Sequence, residues 1–293
     1  MAIFTGSGTA IVTPFNTDGS VNYDVFGRLI DFQIENGTDA IVVCGTTGEA
    51  STLTDDEHIE CIRFAVSYVN KRIPVIAGAG SNHTEHGVHL CIEAQKAGAN
   101  ALMLVTPYYN KATQNGLVEH FGIMAKSTDL PIIIYNVPAR TNLNITPDTM
   151  LKLSKIETIV ATKEASHDLS QIAEIAYLCG DKIDIYSGND SDTLPILSLG
   201  GKGVISVLAN ITPKDVHDMV MLYLGGNHVD ALKLQLKSVP IVKALFSEIS
   251  PVPVKEAMNI MGMNAGGVRR PLLAIEPANK ELLLKAMKDY GLL

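Results

Sequence analysis

Ile132-Ile133-Ile134-Tyr135 and Thr158-Ile159-Val160-Ala161-Thr162-Lys163 decide the fold, with one helix-like segment between them opened by Thr146-Pro147. Both are short, continuous apolar runs rich in β-branched residues. Such runs read as strands buried on both faces, and those belong to a parallel sheet covered by helices. The first run ends on a phenol and the second on an ammonium. In a parallel barrel with these strands as neighbours, an amine and a general acid/base look into the same mouth. An ammonium at the end of a buried strand is expensive unless it is paired, solvated or chemically used. Desolvation lets it lose its proton more easily and makes it a nucleophile for a carbonyl carbon. The pairing of Lys163 with Tyr135 therefore points to Schiff-base chemistry on a keto acid.

The same alternation extends in both directions. Strands are expected at residues 9–13, 40–44, 75–78, 101–105, 132–135, 158–163, 183–187 and 203–207. Amphipathic helices are expected at 23–35, 55–69, 84–97, 116–126, 147–153, 169–178, 192–199 and 213–224. Thr54-Asp55-Asp56-Glu57 has the spacing of a capping box. Thr146-Pro147 and Thr212-Pro213 each place a capping hydroxyl before a proline at the first helical position. Eight strand–helix units favour a closed (β/α)8 TIM barrel over an open doubly wound sheet. Beyond residue 225 the pattern changes: 229–249, 254–261 and 280–290 are helical with no strands between them. The division expected is a catalytic barrel domain over 1–225 and a C-terminal helical region over 226–293 packed on it. No Pro/Ser-rich linker separates the two, so independent domain motion is not expected.

Composition narrows the class. Of the 293 residues, 46% are apolar and 18% charged, which excludes a disordered chain. The formal charge is −8 with no basic block, so neither nucleic acid nor an anionic membrane is an expected partner. Met1-Ala2-Ile3-Phe4-Thr5 lacks the pattern of a signal peptide, and no apolar run reaches the roughly 18 residues of a spanning helix. The expectation is a soluble cytoplasmic protein. Cys44, Cys61, Cys91 and Cys179 form no Cys-x-x-Cys pair and read as reduced packing residues. His83, His86 and His89 fall three apart, with His58 nearby. Without a His-Glu-x-x-His motif or a set of strand-end carboxylates they read as a solvated helix face, and no metal site is expected.

Barrel enzymes place their sites at the carboxyl ends of the strands. Here those ends carry Gly45-Thr46-Thr47-Gly48-Glu49, Gly78-Ala79-Gly80-Ser81-Asn82, Thr106-Pro107-Tyr108-Tyr109-Asn110-Lys111, Tyr135-Asn136-Val137-Pro138-Ala139-Arg140-Thr141, Lys163-Glu164 and Ser187-Gly188-Asn189-Asp190. The Thr46-Thr47 turn offers backbone N–H groups and two hydroxyls that suit a carboxylate. Arg140 offers a bidentate fork for a second one. Each feature alone also has a plain structural reading: a tight turn, a surface arginine, a strand-end aromatic with a wet hydroxyl, a lysine reaching solvent along its stem. Their joint occurrence on neighbouring strand ends favours a site.

These motifs resemble the dihydrodipicolinate synthase (4-hydroxy-tetrahydrodipicolinate synthase) family, within the pyruvate-dependent class I aldolase group that also holds N-acetylneuraminate lyase. The likeness runs from Gly8-Thr9-Ala10-Ile11-Val12-Thr13-Pro14-Phe15 to Gly266-Gly267-Val268-Arg269-Arg270-Pro271-Leu272. Gly-Thr-Thr-Gly-Glu and Tyr-Asn-Val-Pro are specific to the group, and Arg140 after the proline favours the synthase. The resemblance implies that Lys163 forms an imine with pyruvate and that Tyr135 shuttles protons. It implies that Thr46 links Tyr135 to Tyr109 reaching in from a neighbouring subunit, and that Thr46 and Thr47 hold the pyruvate carboxylate. It implies as well that Arg140 orients Tyr135 and meets the carboxylate of aspartate semialdehyde, and that the carbonyls of Gly188 and Ile205 lie beside the intermediate. It further implies no cofactor beyond that imine, a homotetramer built as a dimer of dimers, and a place in diaminopimelate and lysine biosynthesis.

Two rivals stand beside this reading. One is an aldolase for a sialic or keto-deoxy-sugar acid using the same lysine, which would need more hydroxyl partners than a carboxylate clamp offers. The other is a non-catalytic keto-acid sensor, against which the retained set of Lys163, Tyr135 and Thr46 argues. Lysine-sensitive members of the family bind the amino acid at a dimer-interface pocket. This chain keeps Asn82, Tyr108 and His58 there. It has His86 in place of a glutamate, Asp55 in place of a histidine, and Ala50-Ser51 in reversed order, so weak or absent lysine inhibition is expected.

Overall fold

The computed structural model describes residues 2–293. Eight parallel strands close into a barrel in sequence order: β1 (Gly6–Ala10), β2 (Ala40–Val43), β3 (Val75–Gly78), β4 (Ala101–Val105), β5 (Ile132–Asn136), β6 (Ile159–Glu164), β7 (Asp184–Ser187) and β8 (Gly203–Ser206), with β8 pairing back onto β1. Around it run α1 (Tyr23–Glu35), α2 (Asp55–Val69), α3 (Thr84–Ala97), α4 (Gln114–Ala125), α5 (Pro138–Thr141), α6 (Pro147–Leu153), α7 (Leu169–Cys179), α8 (Thr193–Ser198) and α9 (Pro213–Leu224). The C-terminal region adds α10 (His228–Leu245), α11 (Val252–Ile260) and α12 (Pro277–Tyr290). The (β/α)8 barrel with a helical appendage is therefore the architecture, and α10 packs on α9 while α12 packs on α10 and α11.

The two-residue period of the strands sorts their side chains into two cores. Val42, Ile76, Met103, Ile133, Tyr135, Ala161, Tyr186 and Ile205 fill the barrel interior. Ile41, Val43, Leu102, Leu104, Ile132, Ile134 and Val204 face the helices. Because β6 puts Ala161 inside, Lys163 two residues on is also inside, and Thr162 and Glu164 point to the helix layer.

Most element bounds match the expectations to within a residue or two, and the departures have local causes. The first strand is Gly6–Ala10 rather than 9–13. Its Gly6 looks like a turn residue but is required by close approach, since a Cβ there would lie 2.0 Å from Asp39 Oδ2, and a Cβ on Gly203 of the paired β8 would lie 1.9 Å from the Gly6 carbonyl oxygen. The fourth helix begins at Gln114 because Thr113 caps it, accepting from the Gly116 N–H. The single turn α5 has no counterpart among the expected helices; Pro138 at its first position starts it and Asn142 in the left-handed region ends it. The helix expected over 229–249 stops at Leu245. The Thr54 capping box and the Thr146 cap are present. The Thr212 hydroxyl instead donates to the Leu208 carbonyl at 3.4 Å and caps nothing.

Candidate active site

At the carboxyl ends of β2 to β5 lies a cavity of about 380 Å³, lined among others by Gly45, Thr46, Met103, Tyr135, Val137, Arg140 and Thr141. Strand register sets Lys163 beside this cavity: it is directly paired, across β5 and β6, with the lining residue Tyr135, and both are on the inward face. The Lys163 ammonium lies 4.2 Å from the centroid of the Tyr135 ring. Lys163 is 6% exposed. Burial pulls its pKa down to about 7, with the Asp190 carboxylate opposing that shift and the Arg140 charge adding to it. A neutral amine is therefore accessible near neutral pH, as nucleophilic attack on a carbonyl requires.

Burial also raises the pKa of Tyr135, while the Arg140 charge and the Thr46 hydroxyl pull it back. Arg140 stands on the exposed turn α5 at the rim. Thr47 is buried behind Thr46. The turn that carries both is closed by Gly48 and Glu49 N–H groups donating to the Gly45 and Thr46 carbonyls at 3.1 Å. Gly188 sits where its N–H donates to the Glu164 carbonyl at 2.7 Å, and a Cβ there would come 2.8 Å from that of Ala165. Ile205 is buried on the inward face of β8. The structure thus brings Lys163, Tyr135, Thr46 and Arg140 together at one mouth. Tyr109 is not among the residues lining this chain's cavity: it is 93% exposed and has φ +70°.

Behind Lys163, on the helix side of β6, Glu164 is fully buried. Its carboxyl group receives hydrogen bonds from Asn136 Nδ2 at 3.2 Å and from the hydroxyls of Thr162 and Ser166, both at 3.2 Å. Burial raises its pKa to about 7 despite those donors. Asp190 at the end of β7 accepts from the Ser206 hydroxyl at 2.5 Å and from the Val207 and Leu208 N–H groups. Neither cluster stands out in the sequence, where Glu164 reads only as a strand-end acid beside Lys163 and Asp190 as an ordinary loop acid.

The histidines divide. His86 and His83 are surface groups, in line with a solvated helix face, with His86 Nε2 3.0 Å from Asp55 Oδ1. His58 is not on a solvated face: it is buried, its Nε2 lies 2.7 Å from the Gly78 carbonyl, and desolvation lowers its pKa. Among the described residues, no group of three His, Cys, Asp or Glu side chains is placed to hold a metal ion. All four cysteines are buried and unbridged.

Comparison with known proteins decides the lineage. The model of the dihydrodipicolinate synthetase family matches residues 3–290. The chain belongs to the dihydrodipicolinate synthetase family. It is 57% identical over 294 residues to the 4-hydroxy-tetrahydrodipicolinate synthase of Lachnoclostridium phytofermentans, covering 100% of both chains. Among solved structures, the family member from Aquifex aeolicus superposes with a TM-score of 0.96 at 46% identity, covering 99% of each chain. The one from Cyanidioschyzon merolae, solved with lysine bound, superposes with a TM-score of 0.97 at 40% identity, covering 100% of each.

Proposed function

We propose that this chain condenses pyruvate with L-aspartate 4-semialdehyde to give 4-hydroxy-tetrahydrodipicolinate, as a lyase of lysine and diaminopimelate biosynthesis. The observation that carries the residue assignment is the geometry at the mouth: a buried amine with a pKa near 7, lying over the ring of a phenol on the next strand. Lys163 Nζ attacks the pyruvate carbonyl carbon and water leaves, giving a protonated imine. The imine withdraws electrons from the methyl group, which loses a proton to become an enamine. The enamine carbon attacks the aldehyde, and the new alkoxide takes a proton. The substrate amine then attacks the imine carbon, closes the ring and releases the amine of Lys163. Tyr135 is the proton carrier in these steps, since its ring sits beside the reacting nitrogen; burial raises its pKa and the Arg140 charge offsets part of that rise.

The N–H groups and hydroxyls of Thr46 and Thr47 hold the pyruvate carboxylate, and Arg140 at the rim meets that of the semialdehyde. The carbonyls of Gly188 and Ile205 flank the intermediate. No external cofactor is needed, because the imine itself is the electron sink. Exposed Tyr109 completes the relay Tyr135–Thr46–Tyr109 in a neighbouring subunit of a homotetramer, in which an isologous dimer supplies one tyrosine to each of two sites. Among the described residues no helix is long and apolar enough to cross a membrane, and the proposed setting is the cytoplasm. The barrel over 1–225 and the helical region over 226–293 are proposed as the two structural parts.

Borohydride treatment with and without pyruvate, followed by peptide mapping, tests the assignment. The expected result is a pyruvyl adduct on the Lys163 peptide only when pyruvate is present. An adduct on another lysine, or none, overturns it. Sedimentation equilibrium and Tyr109→Phe test the assembly: a fully active monomer, or undiminished turnover in the variant, removes Tyr109 from the relay.

A further inference from the structure

The turn proposed to hold the pyruvate carboxylate is gripped from the far end of the chain. Glu49, which closes that turn, is a non-glycine residue with φ +55° in the left-handed region and is 3% exposed. A left-handed residue without glycine is strained and persists only when its surroundings over-determine it. The partners of its carboxylate are both C-terminal. Lys255 of α11 donates to Glu49 Oε1 at 2.9 Å, and the Arg269 backbone N–H donates to Glu49 Oε2 at 2.9 Å. Lys255 is 1% exposed and also donates to the Thr13 carbonyl at 2.9 Å. The Thr13 hydroxyl in turn donates to the Gly48 carbonyl at 2.6 Å.

The Arg269 side chain extends the same grip. Its guanidinium donates to the Gly19 and Thr52 carbonyls and to both oxygens of Glu57. Glu57 is the capping-box residue of α2, which follows the turn. Both oxygens of the Glu49 carboxylate are thus satisfied by residues from the helical region, about two hundred positions away. A merely solubilising appendage has no use for a buried ion pair, which loses much of its attraction to desolvation.

We propose that Glu49 and Lys255 are positioning residues for the reaction: the buried pair locks the Thr46-Thr47 turn in the shape that receives the pyruvate carboxylate, so that the C-terminal helical region acts on the catalytic mouth. This rests on the functional reading above. It goes beyond it by assigning substrate affinity to two side chains that touch no substrate.

The test uses the full-length chain. Wild type is first trapped with borohydride and pyruvate; no adduct on Lys163 means the functional reading itself has failed. With that adduct in hand, Glu49→Gln is assayed. The amide introduced by this substitution keeps an acceptor for the Arg269 N–H, and Lys255 can shed its proton. The double variant Glu49→Gln/Lys255→Met is assayed beside it, leaving no buried charge in the pair. KM is measured separately for pyruvate and for aspartate semialdehyde, with circular dichroism confirming the fold. The expected result is a pyruvate KM raised about tenfold or more in both variants, as a misplacement approaching 1 Å implies, with the semialdehyde KM changed less than about threefold. A pyruvate KM within twofold of wild type overturns the proposal, as does an equal loss for both substrates. Failure of both variants to fold also overturns it, because the pair then serves the whole barrel rather than the turn.

Discussion

Lys163 and Lys255 are both buried lysines whose ammonium lies 4.2 Å from the centroid of an aromatic ring, Tyr135 in one case and Phe15 in the other. They differ in what else is offered. Lys255 has a carboxylate and a carbonyl at hydrogen-bond distance. Lys163 has only the through-space attraction of Asp190 and the repulsion of Arg140. Desolvation lowers the pKa of both, but Glu49 opposes the shift in Lys255 by charge and hydrogen bond together. One lysine is therefore part of the scaffold, and the other is left poorly compensated where carbonyl chemistry can use it. What distinguishes a reactive buried lysine is not burial but the missing partner.

The largest expected effect is on turnover. Lys163→Ala should lower kcat by more than about 10⁴-fold, as loss of a covalent nucleophile does, and should lose the borohydride adduct. Retained turnover would place the nucleophile elsewhere and end the contrast. Tyr135→Phe should follow with a loss of about 10²–10⁴-fold, the usual worth of a positioned proton carrier, while unfolding at a temperature near that of wild type. Unchanged steady-state turnover in that variant would take Tyr135 out of the proton path.

Stability should separate the two lysines by sign. Lys255→Met leaves Glu49 charged and buried without its partner, which destabilises by about 3–5 kcal/mol. Lys163→Met removes a poorly compensated charge and should stabilise by about 1–3 kcal/mol at pH 7, the familiar exchange of stability for function. The folded pKa of Lys163 is about 7, below its ordinary value of 10.5 in water, so the unfolded chain binds more protons between those limits and wild-type stability rises with pH there. The advantage of Lys163→Met should shrink as pH rises from 7 towards 10. By the same pKa, pyruvate capture measured as kcat/KM should fall up to tenfold per unit below pH about 7. Thermal unfolding of both variants across that range checks the signs, and two variants that shift together would erase the distinction.

This contrast shows what was legible in the sequence. The strand-end position of Lys163 could be read because periodicity is local: Thr158–Lys163 is apolar and β-branched whatever surrounds it. Its pairing with Tyr135 followed from parallel neighbours one βα unit apart. The role of Lys255 could not be read. Val254-Lys255-Glu256 looks like an ordinary turn of an amphipathic helix, and its partner Glu49 lies at the end of a motif that already had an explanation. The same limit hid Glu164 and Asp190, whose burial depends on strands and helices from elsewhere in the chain. The first strand was misplaced for a related reason. Gly6 and Gly8 lack β propensity, and the close approach of Gly6 to Gly203 is a property of barrel closure that no window of sequence contains.

A third ammonium, free lysine, extends the comparison and carries the smallest expected effect. The cavity that holds Thr46 and Tyr135 runs on to Ser51, Asp55, His58, His86 and Tyr108, the positions where lysine-sensitive relatives are expected to bind the amino acid. By the rule drawn from Lys163 and Lys255, an ammonium settles where an uncommitted carboxylate awaits it. Asp55 is the acid among those lining residues, and its Oδ1 is already 3.0 Å from His86 Nε2. The glutamate expected at position 86 is an imidazole instead, whose Nδ1 is 3.0 Å from the Ser81 hydroxyl. Losing one direct charge-assisted hydrogen bond is worth about 1.5–3 kcal/mol, or roughly tenfold to over a hundredfold in affinity. Lysine titrated into the assay at saturating pyruvate should therefore inhibit weakly or not at all. His86→Glu, which restores a carboxylate there, should strengthen the response. Half-inhibition of the unaltered chain at submillimolar lysine would show that Asp55 leaves His86 to meet the ligand, and that a committed carboxylate can still serve a third ammonium.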